Sequence, residues 1–152
     1  MNLILWRHAE AEEGAEAEDL ARPLTAKGHR QAHRMAEWLQ ARLPDRYKVI
    51  ASRARRSRET ARALGERFRV DEAIDPGAQP EAVLAAIGWP EAAGTVVVVG
   101  HQPTLGQVAS LLLAGEAMDW SVRKGALWWI SRRERGGSRE VVLRAVVAPD
   151  LL

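Results

Sequence analysis

Three short stretches of this chain carry residues able to hold and transfer a negatively charged group: Arg7-His8, the run Ser52-Arg-Ala-Arg-Arg-Ser-Arg58, and Gly100-His101-Gln102-Pro103. A neutral imidazole is a nucleophile. A guanidinium is a planar cation that keeps its proton at working pH and can bond two phosphate oxygens at once. Guanidiniums gathered beside an imidazole disfavour a further positive charge, so the ring stays neutral. That is the condition a phosphoryl acceptor needs. Glu10, two residues past His8, is the one carboxylate directly behind any of these strand ends.

Each stretch follows an apolar run. Leu3 to Trp6 reads as a buried strand ending at Arg7-His8, Tyr47 to Ala51 as a second strand ending at Ser52, and Thr95 to Val99 as a third ending at Gly100-His101. The third is β-branched throughout, as a strand covered on both faces should be. Residues 9–21 are rich in Ala and Glu, but hardly anything other than Ala is apolar there, so an exposed loop or frayed helix is expected.

Thr25 is placed to cap a helix in which Ala32, Met35, Ala36, Leu39 and Leu43 share a face until Pro44. Ala61, Leu64 and Phe68 predict a second helix. Pro80 suits a first helical residue ahead of Val83, Leu84 and Ile87, and Leu105, Val108, Ala109 and Leu112 predict a helix that stops at Gly115. Ala126 to Ile130 and Val141 to Val147 flank Arg135-Gly-Gly-Ser138, the composition of a hairpin turn.

Strands alternating with helices imply the α/β class, as a single three-layer α/β/α domain over residues 1–152. The central sheet is expected to be mainly parallel, with helices on both faces and a C-terminal antiparallel hairpin at one edge. Ligands of such sheets bind beyond the carboxyl ends of the strands, where the three nitrogen-rich stretches would converge.

Composition narrows the function classes. There is no cysteine, which excludes a disulfide framework, a thiolate nucleophile and a thiolate metal site. The balance of 22 Lys+Arg against 20 Asp+Glu leaves a formal net charge of only +2, so nucleic acid is not the expected partner. No apolar run approaches the ~20 residues that span a bilayer, and the first residues lack the pattern of a secretory signal. No membrane association and a cytoplasmic location are the expectations.

Four motifs then stand in order: Leu-Trp-Arg-His8; Arg22-Pro-Leu-Thr25 with Gly28 and Gln31-Ala32; Ser52 followed by Arg56 and Glu59-Thr60-Ala61; and Gly100-His101-Gln102-Pro103. Together they resemble the histidine phosphatase superfamily over residues 3 to about 113. The short length and Arg-Pro-Leu-Thr are similar to the small branch typified by the phosphohistidine phosphatase SixA.

The resemblance implies a hydrolase in which His8 takes up the phosphoryl group as a covalent intermediate, Arg7 and Arg56 clamp it, and His101 stabilises it in transfer. It implies Arg22 at the pocket mouth with Asp19 beside it as substrate-binding residues, and no metal or cofactor. Two departures stand out. Ala9 occupies the position where the family most often has Gly, and the glutamate that protonates an alcohol leaving group in larger members has no clear counterpart, Glu10, Glu81 and Asp75 being the candidates.

An alkoxide leaves poorly without a proton, whereas an imidazole, with a reference pKa of about 6.5, leaves readily. The missing acid therefore favours phosphohistidine, in a phosphorylated protein or as a small phosphoramidate. A general phosphomonoesterase or sugar-phosphate phosphatase is the nearest alternative. From another class, a non-catalytic phospho-ligand-binding module or an RNA-binding protein would use the arginine cluster without turnover.

Simpler readings exist for several residues. His8 and His101 could be buried histidines satisfied by backbone groups, and Arg53, Arg55 and Arg58 a solvated helix start. His29 and His33 have zinc-like spacing but no evident third ligand. Of Trp128-Trp129 on one strand, one is expected to face outward and could mark a dimer contact.

Overall fold

The computed structural model describes all 152 residues. Its strands are β1 (Asn2–Arg7), β2 (Lys48–Ala51), β3 (Arg69–Val70), β4 (Thr95–Gly100), β5 (Leu127–Arg135) and β6 (Ser138–Val147). Its helices are α1 (Ala26–Gln40), α2 (Arg55–Arg62), α3 (Pro80–Ile87) and α4 (Thr104–Ala114). The strands form one sheet in the order β3-β2-β4-β1-β5-β6. The first four in that order are parallel; β5 runs antiparallel to β1, and β6 to β5. This is the expected α/β fold, with the hairpin at one edge.

Side chains alternate across a strand, so β1 sends Leu3 and Leu5 to one layer and Ile4 and Trp6 to the other, while β4 splits Val96 and Val98 from Val97 and Val99. Both sides need cover. α1 and α2 supply it on one face through Met35, Leu39 and Ala61, and α3 and α4 on the other through Val83, Ile87, Leu105 and Val108. That double burial is why β1 and β4 read as unbroken apolar runs. No helix is long and apolar enough to cross a membrane.

Some elements end earlier than periodicity predicts. α2 closes at Arg62, and Phe68, expected on that helix, lies beyond it on the way into β3. Phe68 and Leu43 nevertheless pack against the same apolar cluster as the helices that precede them, so burial set the spacing that looked helical. Residues 9–21 form a loop with a 3₁₀ segment at Glu16–Ala21, kinked at Glu18 and without a buried side chain.

The outward tryptophan also needs correction. Trp129 is buried against Trp38 at 6.2 Å between ring centroids, and half-buried Trp128 packs on the opposite face against Trp120 at 5.9 Å. α1 accounts for one ring through Trp38, and the segment after α4 accounts for the other through Trp120. Farther along the hairpin, Trp129 pairs with Ala145 and Ile130 with Leu143, leaving Arg144 as an extra residue on β6.

One close approach ties the fold to the site. Thr25 caps α1 by accepting a hydrogen bond from Gly28 N at 2.9 Å, and Thr25 N donates to Glu10 O at 3.0 Å. The backbone of Glu10 thus crosses α1 at Gly28, where a Cβ would run into the Glu10 carbonyl. Replacing glycine by alanine inside a helix is ordinarily favourable by about 1 kcal/mol. Gly28→Ala is expected to reverse that sign and destabilise by about 1–3 kcal/mol through overpacking. Thermal unfolding should show a Tm lowered by several degrees; a Tm that rises would mean the crossing has slack.

Candidate active site

Because β2, β4 and β1 are adjacent and parallel, their carboxyl ends open on one side of the sheet. His8 follows β1, Ser52 follows β2 and His101 follows β4. His8 N donates to Gly100 O at 3.1 Å and Ser52 N to Val99 O at 3.2 Å, extending the ladder into the site. α2 starts immediately beyond Ser52, and its first turn points Arg56 inward to 3% exposure. The other arginines of that run are engaged elsewhere. Arg53 pairs with Asp75 at 2.6 Å, Arg55 with Glu59 at 3.4 Å, and Arg58 Nε donates to Arg53 O at 3.1 Å.

His8 is 7% exposed, and its Nδ1 lies 2.7 Å from the carbonyl oxygen of Ala9. A carbonyl can only accept, so Nδ1 carries the proton and Nε2 keeps its lone pair. The Ala9 peptide is itself held, since Ala9 N donates to Thr60 Oγ1 at 3.1 Å and that hydroxyl donates to Arg56 O at 2.7 Å. Burial pushes the His8 pKa down to about 4; the bond to Ala9 opposes this, while Arg56, Arg7 and Arg22 add to it. The ring is therefore neutral at ordinary pH.

The His101 ring stands 5.1 Å from that of His8, centroid to centroid, at 52°. Its Nε2 is 2.7 Å from Ser52 Oγ and 3.3 Å from Ser57 Oγ, and its Nδ1 is 3.5 Å from Arg56 Nη2. A guanidinium only donates, so Nδ1 is the accepting nitrogen and Nε2 bears the proton toward Ser52. Burial, then the neighbouring His8 and Arg56, hold this ring down to about 2, with Asp19 pulling weakly the other way.

The cations are arranged around the two rings. Arg7 Nη1 donates to Val122 O at 3.0 Å. Arg56 Nη1 donates to Asp19 O at 2.7 Å and its Nη2 to Asp19 Oδ2 at 3.1 Å. The buried Nε groups of both arginines have no hydrogen-bond partner. Arg22 Nε meets Asp19 Oδ1 at 3.1 Å, and Arg22 Nη1 donates to Glu12 O at 2.9 Å. Burial alone would raise the Asp19 carboxyl, but the bonds and charges of Arg56 and Arg22 outweigh it and hold it below the usual carboxylate range. Two neutral imidazoles beside three guanidiniums form a receptor for a tetrahedral anion, with one ring nitrogen free to bond to it.

The structure thus brings together His8, Arg7, Arg56 and His101, and adds both Arg22 and Asp19. Sequence reading paired Asp19 with Arg22; its contact with Arg56, across 37 residues of chain, was not foreseen. Ser57, Thr60 and the Ala9 carbonyl were also missed as site groups, although Ser52 and Thr60 lay within the quoted motifs.

None of the candidate acids bonds to either active-site imidazole. Glu10 Oε2 takes a hydrogen bond from Thr25 Oγ1 at 2.8 Å, Asp75 is held by Arg53, and Glu81 is exposed on α3. His29 and His33 stand beside Glu59 and Glu37 at 3.5 and 3.1 Å. A cleft of about 580 Å³ lies at the amino ends of β2 and β4 and contains no histidine. Chemistry rather than volume picks out the site.

The chain is similar to known proteins in sequence and in fold. The chain is 35% identical over 124 residues to an uncharacterized protein of Picosynechococcus sp., covering 76% of this chain and 75% of that protein. It is 28% identical over 125 residues to the phosphohistidine phosphatase SixA of Escherichia coli K12, covering 76% of each. A solved structure of the protein histidine phosphatase SixA complexed with tungstate shares the fold with a TM-score of 0.83 at 23% identity, over 99% of both chains. Residues 3–81, just over half the chain, match the histidine phosphatase superfamily, branch 1. With the two imidazoles and the inward arginine in place at the sheet's carboxyl edge, that match makes this chain a member of the histidine phosphatase superfamily.

Proposed function

We propose that the protein is a metal-independent phosphohistidine phosphatase acting through a covalent phospho-His8 intermediate. The observation that carries this reading is the 2.7 Å bond from His8 Nδ1 to Ala9 O, which leaves Nε2 as the free nucleophile beside Arg7, Arg56 and His101. The relative named phosphohistidine phosphatase in Escherichia coli supports the substrate class. So does the engagement of Glu10 and Asp75 with other partners, since an imidazole leaving group does not need the acid that an alkoxide requires.

In the first half-reaction Nε2 attacks phosphorus while the bond from phosphorus to the donor ring breaks. The donor's second ring nitrogen carries a proton, so the departing electron pair generates a neutral imidazole. His8, with Nδ1–H on Ala9, becomes the same species the donor was: a phosphorylated ring bearing one N–H. One P–N bond replaces another and no proton moves.

Water then attacks phosphorus as the bond to Nε2 breaks. The electron pair returns to Nε2, His8 is neutral again, and both water protons leave on dihydrogen phosphate. Arg7 and Arg56 supply the positive charge that a metal ion supplies in other phosphoryl-transfer sites. A bound phosphoryl dianion raises the pKa of His101, allowing that ring to donate to the transferring oxygens.

Rapid quench during turnover should trap acid-labile phosphate on His8, and His8→Ala should form none and lose activity; an active His8→Ala enzyme would exclude the mechanism. Arg56→Ala is expected to lower kcat/KM by roughly two to three powers of ten, with Arg56→Lys intermediate and EDTA without effect. NMR titration of the phosphate-free protein should show His8 neutral through pH 5 and protonating near pH 4, because its pKa is lowered to about 4. A midpoint above pH 6 would contradict the buried, cation-flanked ring.

A further inference from the structure

Asp19 is a carboxylate where a receptor for phosphate should have none. Its Oδ2 stands 3.1 Å from Arg56 Nη2 and its Oδ1 3.1 Å from Arg22 Nε. A phosphoryl dianion drawn to Arg56 must approach this like charge. If Asp19 served only to hold the arginine, its main-chain oxygen already does so through Arg56 Nη1 at 2.7 Å. The carboxylate is half-open to solvent, with 36% of the side chain exposed. Each of its oxygens accepts one arginine bond and keeps a lone pair for another donor. The solvent-facing side of Arg56 therefore presents a hydrogen-bond acceptor with full negative charge.

The leaving oxygen of a phosphate monoester carries no proton to give to such an acceptor. A phosphorylated imidazole does: in the form that breaks down to a neutral imidazole, its second ring nitrogen carries an N–H and the ring is cationic. The nucleophile's side already has this arrangement, with Nδ1–H of His8 on the Ala9 carbonyl at 2.7 Å.

We propose that Asp19 is a specificity-determining residue, its carboxylate accepting the N–H of the donor's non-phosphorylated ring nitrogen. This rests on the phosphohistidine reading above. The contact holds the donor ring in its protonated form, from which cleavage of the P–N bond releases neutral imidazole with its N–H still on Asp19. The same charge disfavours esters, whose leaving oxygen bears neither a proton nor a positive charge to offset the approaching dianion. A charge-assisted hydrogen bond of the usual strength corresponds to about ten- to a hundredfold in rate.

The test compares kcat/KM of the full chain and of Asp19→Asn and Asp19→Glu on phosphoimidazole and on 4-nitrophenyl phosphate, whose leaving group needs no proton. Asp19→Asn should lose about ten- to a hundredfold on phosphoimidazole and gain on the aryl ester, so that the preference collapses; Asp19→Glu should restore part of it. The alkaline limb of the phosphoimidazole profile should also move to lower pH in Asp19→Asn, because the ring loses the anion that favours its protonated form.

Equal losses on both substrates, or an unchanged preference in Asp19→Asn, would overturn the inference and leave Asp19 a support for Arg56. Wild-type enzyme that ignores phosphoimidazole would overturn the phosphohistidine reading, and this inference with it. Wild type that prefers phosphoimidazole while Asp19→Asn keeps that preference would remove the role of Asp19 alone.

Discussion

The hydrogen bond from His8 Nδ1 to the Ala9 carbonyl decides which nitrogen of the ring faces the pocket, and much of the surrounding structure keeps that carbonyl still. Ala9 is held at its own N–H by Thr60, and the peptide that carries the carbonyl runs on into Glu10, whose backbone is seated over Gly28. Glu10 N is also caught by Gln31 Oε1 at 3.0 Å. Elements far apart in sequence thus fix one tautomer. A looser loop would allow the ring to turn and present an N–H where a lone pair is required. Ala9 fits without strain, since no residue other than glycine has positive φ in this chain.

The second constraint is electrostatic. Two imidazoles are buried beside guanidiniums, and burial and like charge act in the same direction to keep both rings neutral. The arginines themselves are drawn out of water; the two buried Nε groups without partners are donors that the protein leaves unsatisfied. An unpartnered buried donor costs about 1–3 kcal/mol. Donors left free in this way are available to an incoming anion. The parallel strands β2, β4 and β1 offset that cost by anchoring each group at the end of a fully packed apolar run.

Much of this was legible before any coordinates. Leu3 to Trp6 and Thr95 to Val99 are apolar on both faces, and such runs have few ways to be buried except between helical layers. Arg56 could be chosen from its neighbours because its position in the motif differs from theirs, and the first turn of α2 directs it inward. What local sequence could not express was contact across the sheet. Ser57 meets His101 over 44 residues and Arg56 meets Asp19 over 37, and nothing in their own surroundings announces either pairing. Phe68 shows the opposite error: helical spacing arose from a shared burial surface, although the chain had already left the helix. One of Trp128 and Trp129 was expected to face outward from strand alternation alone, which does not show that the segment after α4 brings Trp120 over Trp128.

The unpaired Arg144 on β6 has a consequence beyond the site. A ten-residue outer strand with Leu143 and Val146 partly uncovered would ordinarily invite another chain to extend the sheet. The extra residue interrupts the ladder midway and strengthens the local twist, while its guanidinium lies 4.8 Å from the Trp129 ring. Any zippering partner would lose register at that point. The bulge thereby blunts an edge that a valine-rich terminal hairpin would otherwise offer for pairing.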